Sequence, residues 1–179
     1  MTALSANRLV FIDESFCRTG MRREHSWAPR GARAVGKRAM GHWKTVSIVG
    51  AIRIGSRPLL MTHRGAINGR VFLRFVRQRL VPWLRPGDVV VMDNLNSHKM
   101  VAVRAAIEAV GATPVYLPTY SPELNPIELL WPHLKRGVRA LRTNTEEELR
   151  SVLRRLRCSV PVAHIAAWFR HCLSQAQLN

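Results

Sequence analysis

The sequence predicts an α/β fold, a mixed sheet covered by helices, and three observations carry that expectation. Two short apolar runs, Leu9-Val10-Phe11-Ile12 and Val89-Val90-Val91-Met92, have the β-branched content of strands buried on both faces, and each is followed by an Asp. Segments with helical period fill the intervals between strand-like runs. Strands and helices alternate along the chain, an order that packs helices onto a sheet.

Taken in order, the first strand ends at Asp13. Trp27-Ala28-Pro29-Arg30-Gly31 has the composition of a hairpin tip, and residues 45 to 54, rich in Val and Ile, read as the returning strand. A helix over 68–83 places Val71, Phe72, Phe75, Val76 and Leu80 on one side and Arg70, Arg74 and Arg77 as a basic stripe on the other. Pro86-Gly87-Asp88 turns the chain into the strand that ends at Asp93. A helix over 98–110, with Met100, Val103, Ile107 and Val110 inward, stops at Gly111, and a short strand follows at 113–117. Asn125, Pro126 and Glu128 fit the N-cap, first and third positions of a helix whose buried stripe is Ile127, Leu130, Trp131, Leu134 and Val138. Thr145-Glu146-Glu147-Glu148 is a capping box opening a helix with Leu149, Val152, Leu153 and Leu156 inward. Pro161 starts a last helix built on Ile165, Trp168, Phe169 and Cys172.

Composition bounds the function. With 179 residues, 47% of them apolar, the chain can bury a real core and reads as one domain over 1–179. Its net charge is +17, and 24 of the 28 basic residues are Arg, whose planar fork suits phosphate oxygens. A polyanion is the implied partner, with double-stranded DNA first. No run of 18 apolar residues and no signal-peptide pattern exists, which places the protein in the cytoplasm. Cys17, Cys158 and Cys172 form no CxxC pair and read as reduced packing residues, which excludes a zinc knuckle and a disulfide scaffold. The histidines other than His98 show no ligand spacing.

Only three Asp occur, and two of them end the apolar strands. Ligands of α/β sheets bind at the carboxyl ends of strands, so Asp13 and Asp93 meet in one crevice if their strands are neighbours. Glu128, in the first turn of its helix, is the third acid, and it heads a row of bases on one helix edge: Lys135, Arg139 and Arg142. Lys135 lies about 10 Å along the axis, within reach of a neighbouring phosphate. Three clustered carboxylates need a counter-charge, and two Mg²⁺ or Mn²⁺ ions supply it. Each acid alone has a simpler reading, a strand-end turn for the two Asp and an N-terminal cap for Glu128. Glu14 points away from Asp13 and is expected in solvent. Lys99 and the exposed-tip Trp27 join the candidate DNA contacts, Trp131 reads as core, and His98 either approaches the acids or simply begins its helix.

Phe11-Ile12-Asp13-Glu14-Ser15, Val91-Met92-Asp93-Asn94 with Ser97-His98-Lys99, and Ser121-Pro122-Glu123-Leu124-Asn125-Pro126-Ile127-Glu128 through Trp131 and Leu134-Lys135 together resemble the DDE transposases of the mariner superfamily, in particular its bacterial insertion-sequence branch. Thirty-four residues separate Asp93 from Glu128, the spacing that family favours. The resemblance covers nearly the whole chain from about Arg8. It implies a ribonuclease-H-like fold with Asp13, Asp93 and Glu128 as metal ligands. It also implies DNA strand cleavage at transposon ends by water, attack of the freed 3′-hydroxyl on target DNA, and a homodimer on DNA at the nucleoid.

Two departures from the family pattern set further expectations. Only seven residues precede Arg8, where the resemblance begins, so the N-terminal helix-turn-helix module of the family is expected to be absent and end recognition to come from a separate chain, a frameshifted fusion or nothing at all. Pro132 stands inside the helix that carries Glu128, where it costs roughly 3 kcal/mol unless the helix kinks. A decayed or domesticated remnant that only binds DNA is the alternative reading, and a related nuclease that cuts without joining is a third.

Overall fold

The computed structural model describes residues 5–22, 27–33, 43–119 and 121–176. Five strands form one sheet: β1 (Leu9–Arg18), β2 (Thr45–Ile52), β3 (Leu59–Arg64), β4 (Val89–Met92) and β5 (Thr113–Tyr116), in the spatial order β3-β2-β1-β4-β5. The first three run antiparallel to one another, whereas β4 and β5 join β1 in parallel, so the expected mixed sheet is present. The strand after Ile52 that sequence reading omitted, β3, is half-buried along its length and lacks the alternation that marks a strand.

Alternating strand residues feed two cores, one on each face of the sheet. Phe11, Ile48, Ile52 and Val91 pack under three helices, α3 (Leu130–Leu141), α4 (Glu146–Ser159) and α5 (Val162–Ala176). Val10, Ile12, Val49, Ala51, Val90 and Met92 pack under α1 (Gly69–Phe75) and α2 (Val101–Glu108). The strand period of two makes this division: each residue step along β1 changes the core that a side chain enters.

Several elements differ from expectation in extent. β1 continues five residues past Asp13, because β2 pairs with it through Arg18↔Thr45 after β4 has stopped. The returning strand ends at Ile52, not Ile54. The helix expected over 68–83 is α1, then a π-helical turn at Val76–Leu80 and a 3₁₀ turn at Val81–Trp83; its five inward residues are all buried. The helix expected from His98 begins at Val101, and Gly111 (φ 73°) turns the chain into β5. Trp27 to Gly31 lies in the connection between the antiparallel β1 and β2 and holds a turn closed by Ala32 N–H donating to Pro29 O; the segments on either side, 23–26 and 34–42, lie outside the described residues. The capping box at Thr145 is formed as read, with Glu148 N–H donating to Thr145 Oγ1 (3.1 Å) and Thr145 N–H to Glu148 Oε2 (3.2 Å). Cys17 and Cys172 are buried free thiols as expected; Cys158 is an exposed free thiol whose Sγ accepts from Arg157 Nη2 at 3.8 Å.

Pro132 does not kink a helix. Residues Pro126–Leu129 form a 3₁₀ turn and α3 starts only at Leu130, so Pro132 occupies the first α-helical turn, where the backbone N–H would have no intrahelical partner. Among the described residues, no helix is long and apolar enough to cross a membrane.

Candidate active site

The register of two strands decides the site. In the β1–β4 ladder Leu9 pairs with Val89, Val10 with Val90 and Phe11 with Val91. Continued two further steps, the same register aims Asp13 at the position of Asp93, the first residue past the end of β4. β4 ends at Met92, which releases Asp93 into the loop that leads to α2. Opposite Asp13 on its other side stands Gly50 of β2.

Glu128 arrives from the segment that packs over this point. Asn125 caps the 3₁₀ turn by accepting from Ile127 N–H, while Ile127 and Trp131 are buried in the core beneath. Trp131, expected as core only, also donates its indole N–H to Asp13 Oδ2 at 2.8 Å. That approach requires the missing side chain at Gly50, since a Cβ there would stand 2.7 Å from the Trp131 ring and 2.9 Å from Leu60. Gly50→Ala is therefore expected to push the indole off Asp13 and to destabilise the fold by about 1–3 kcal/mol, the cost of overpacking a core. Denaturant unfolding checks it; an unchanged midpoint would mean that the indole has room to spare.

The three acids sense one another. Burial, first of all, pushes the Asp13 carboxyl up to about 6; the indole hydrogen bond opposes the shift, and the charges of Glu128 and Asp93 add to it. Glu128 is raised as well, by burial foremost, with Lys135 pulling it down and Asp93 pushing it up. As they stand, the acids are not drawn into a closed cage: among the described residues, no three His, Cys, Asp or Glu side chains form a group that holds a metal ion. The donor set nevertheless fits a hard divalent cation. It consists of carboxylate oxygens, and Asp13 is half-buried, its Oδ2 accepting from the Trp131 indole.

Asp93 differs from the other two. Burial would raise its pKa, but the hydrogen bond and charge of His98 take it below the ordinary carboxylate value. His98 is wholly buried, with Nδ1 2.5 Å from Asp93 Oδ1 and Nε2 3.3 Å from Glu14 Oε1. The ring lies on Phe72, centroids 4.1 Å apart, and its backbone carbonyl accepts from the Tyr116 hydroxyl. Burial works against the imidazolium, yet the two carboxylates hold its pKa up to about 9. Glu14 is thus not solvated: on the opposite face of β1 from Asp13, it anchors His98. The sequence left His98 undecided because its partners sit 5 and 84 positions away, and only the Asp93 end lies in its own motif.

The candidate DNA contacts are spread over the molecule. Lys135 and Arg139 lie half-buried along α3, near enough to Cys17 to act on its thiol, and Lys135 Nζ sits 5.4 Å from the centre of the Phe16 ring. Arg142 ends α3 in a left-handed conformation, exposed. Arg70, Arg74 and Arg77 are exposed on the layer across the sheet, so the structure does not merge the two basic rows. Lys99 is exposed beside His98, in the Asp93 loop, and Trp27 stands fully in solvent. Tyr120, which opens the Glu128 motif, lies outside the described residues.

A five-stranded mixed sheet with three antiparallel and two parallel partners, helices on both faces and carboxylates at the shared end of β1 and β4, is a ribonuclease-H-like fold. The chain belongs to the DDE superfamily endonucleases, whose family profile matches residues 8–150. Among solved structures it is similar to the Mos1 transposase paired-end complex with left transposon end, at TM-score 0.71 and 16% identity over 93% of this chain and 52% of that one. The Mos1 mariner paired end complex with Mn gives TM-score 0.71 and 17% identity over 94% and 53%. The catalytic domain of Mos1 mariner transposase gives TM-score 0.66 and 15% identity over 93% and 78%. The chain spans about half the length of the transposase chains in those DNA complexes. No curated protein matches the sequence.

Proposed function

We propose that this chain is the catalytic domain of a transposase, cutting DNA strands at transposon ends with water and joining the freed 3′-hydroxyl to target DNA. The observation that carries the reading is the β1–β4 register that aims Asp13 at the position of Asp93, under a segment bearing Glu128. It gains support from the family and from the fold shared with Mos1, whose solved forms include a paired-end complex and a Strand Transfer Complex. Pro132, the residue that speaks for a distorted remnant, is accommodated in the first turn of α3 and removes that objection.

In this reading Asp13, Asp93 and Glu128 would hold two Mg²⁺ or Mn²⁺ ions, and the chemistry such ions would supply is activation of an attacking oxygen and stabilisation of a leaving one at a phosphodiester. The protein does the rest. His98 and Glu14 keep the Asp93 carboxylate ionised and turned to the site; Trp131 fixes the rotamer of Asp13; Lys135, Arg139 and Arg142 hold the DNA backbone along α3, and Lys99 and Trp27 flank it. Arg70, Arg74 and Arg77, on the far layer, serve a second duplex or target DNA. Two ends require two sites, so the acting form is a homodimer on DNA at the nucleoid.

Nicking of supercoiled plasmid in Mn²⁺ or Mg²⁺, against EDTA, tests the proposal. The expected product carries 3′-hydroxyl ends that a polymerase extends; no nicking above the EDTA background would end it. Acidity gives a second check. Because the Asp13 pKa is raised to about 6, its proton competes with the cation, and folding without metal loses the small advantage of protonated Asp13 as pH climbs from 4 to 6. Mn²⁺ affinity measured by calorimetry should therefore weaken about tenfold per pH unit below pH 6, with proton uptake on metal release. An affinity constant between pH 5 and pH 7 would remove Asp13 from the ligand set.

A further inference from the structure

We propose that Phe16 is a stacking platform for an unpaired nucleobase, an inference that rests on the DNA-processing reading and refines it. β1 outruns β4 by several residues, so the strand end that holds Phe16 has no parallel neighbour, and the ring stays 48% exposed although it is a large apolar side chain. Two cations sit on it: Arg18 Cζ and Lys135 Nζ, each 5.4 Å from the ring centre. An open pocket of about 270 Å³ lies against the same ring, lined further by Thr45, Ser47, Gly65 and Ala66. An aromatic face flanked by cations beside a mostly apolar recess matches the chemistry of one nucleotide, a flat base with a phosphate on each side. The base takes the ring face as the two cations turn to its phosphates. A neutral apolar partner would have no use for the charges.

The test uses fluorescence anisotropy in EDTA at fixed salt with two probes, a ten-residue oligothymidylate and an abasic strand of equal length and charge. The full chain should bind the base-bearing strand about tenfold more tightly. Phe16→Ala should bring that ratio to within about twofold while leaving abasic binding unchanged, and Phe16→Trp should keep it. A half-exposed side chain can be removed without loss of the fold, and an unaltered melting temperature confirms this. If Phe16→Ala leaves the ratio intact, the platform is refuted. A sedimentation change in place of a change in the ratio refutes it too, and assigns the ring to a contact between copies of the chain. With EDTA present no cleavage occurs, so failure here leaves the nuclease reading standing. Plasmid nicking that fails while base discrimination persists sinks the nuclease and spares the platform.

Discussion

Asp93→Asn should lower metal-dependent nicking by at least about a thousandfold while leaving DNA affinity equal or slightly higher. A metal ligand set provides several kcal/mol of charge stabilisation in the transition state, and each 1.36 kcal/mol is a decade in rate. Asparagine keeps the size of the side chain and can still meet His98, so the loop after β4 stays folded. What changes is charge: one anion leaves a surface that meets phosphates, which accounts for the unimpaired binding. His98 reports the change independently. With Asp93 neutralised, its pKa should fall from about 9 toward the ordinary 6.5, with Glu14 as the one remaining anion beside it. Plasmid nicking, anisotropy and NMR titration of the imidazole measure the three effects. Nicking by the variant within tenfold of the parent would remove Asp93 from the chemistry.

Asp88→Asn should cost about 3–5 kcal/mol of stability, the largest loss expected from one substitution outside the site. Asp88, at the opposite end of β4 from Asp93, is wholly buried and accepts a two-pronged pair from Arg53, 3.0 and 3.1 Å, as well as the Arg85 backbone N–H at 2.8 Å. Arg53 is 3% exposed, with Trp83 both under its guanidinium and accepting through its carbonyl. Removing the anion strands a cation in the interior, whereas replacing both partners by apolar residues removes the problem. For a chain of this size the single variant should melt roughly 10 °C lower. The double replacement Arg53→Met with Asp88→Leu should recover most of that loss. Calorimetric unfolding checks both, and a shift under 2 °C for Asp88→Asn would show that solvent reaches the pair.

Much of this was legible because period and punctuation are local. The strands at residues 9 and 89, the inward stripes of the helices and the Thr145 capping box follow from spacing over a few residues, and the structure reproduces them. So does the acid motif, whose residue types announce metal and phosphate chemistry by themselves. Where the reading went astray, a distant partner had intervened. β1 was cut short at Asp13 because its last residues owe their strand form to β2. Glu14 was assigned to solvent because its partner His98 lies 84 positions on. Pro132 was charged with a kink because nothing near it in sequence reveals that α-helix begins only at Leu130.

Residue order alone therefore determined the class of fold and the basic composition, and it nominated the three acids, since these depend on side-chain chemistry and short-range period. Tertiary structure decided the rest: that strand register aims Asp13 at the position of Asp93, that an indole settles against the first and an imidazole against the second, and that Gly50 leaves room for that indole. The physical reason is that strand register and helix packing are set by burial summed over the whole core, which no single window of sequence contains.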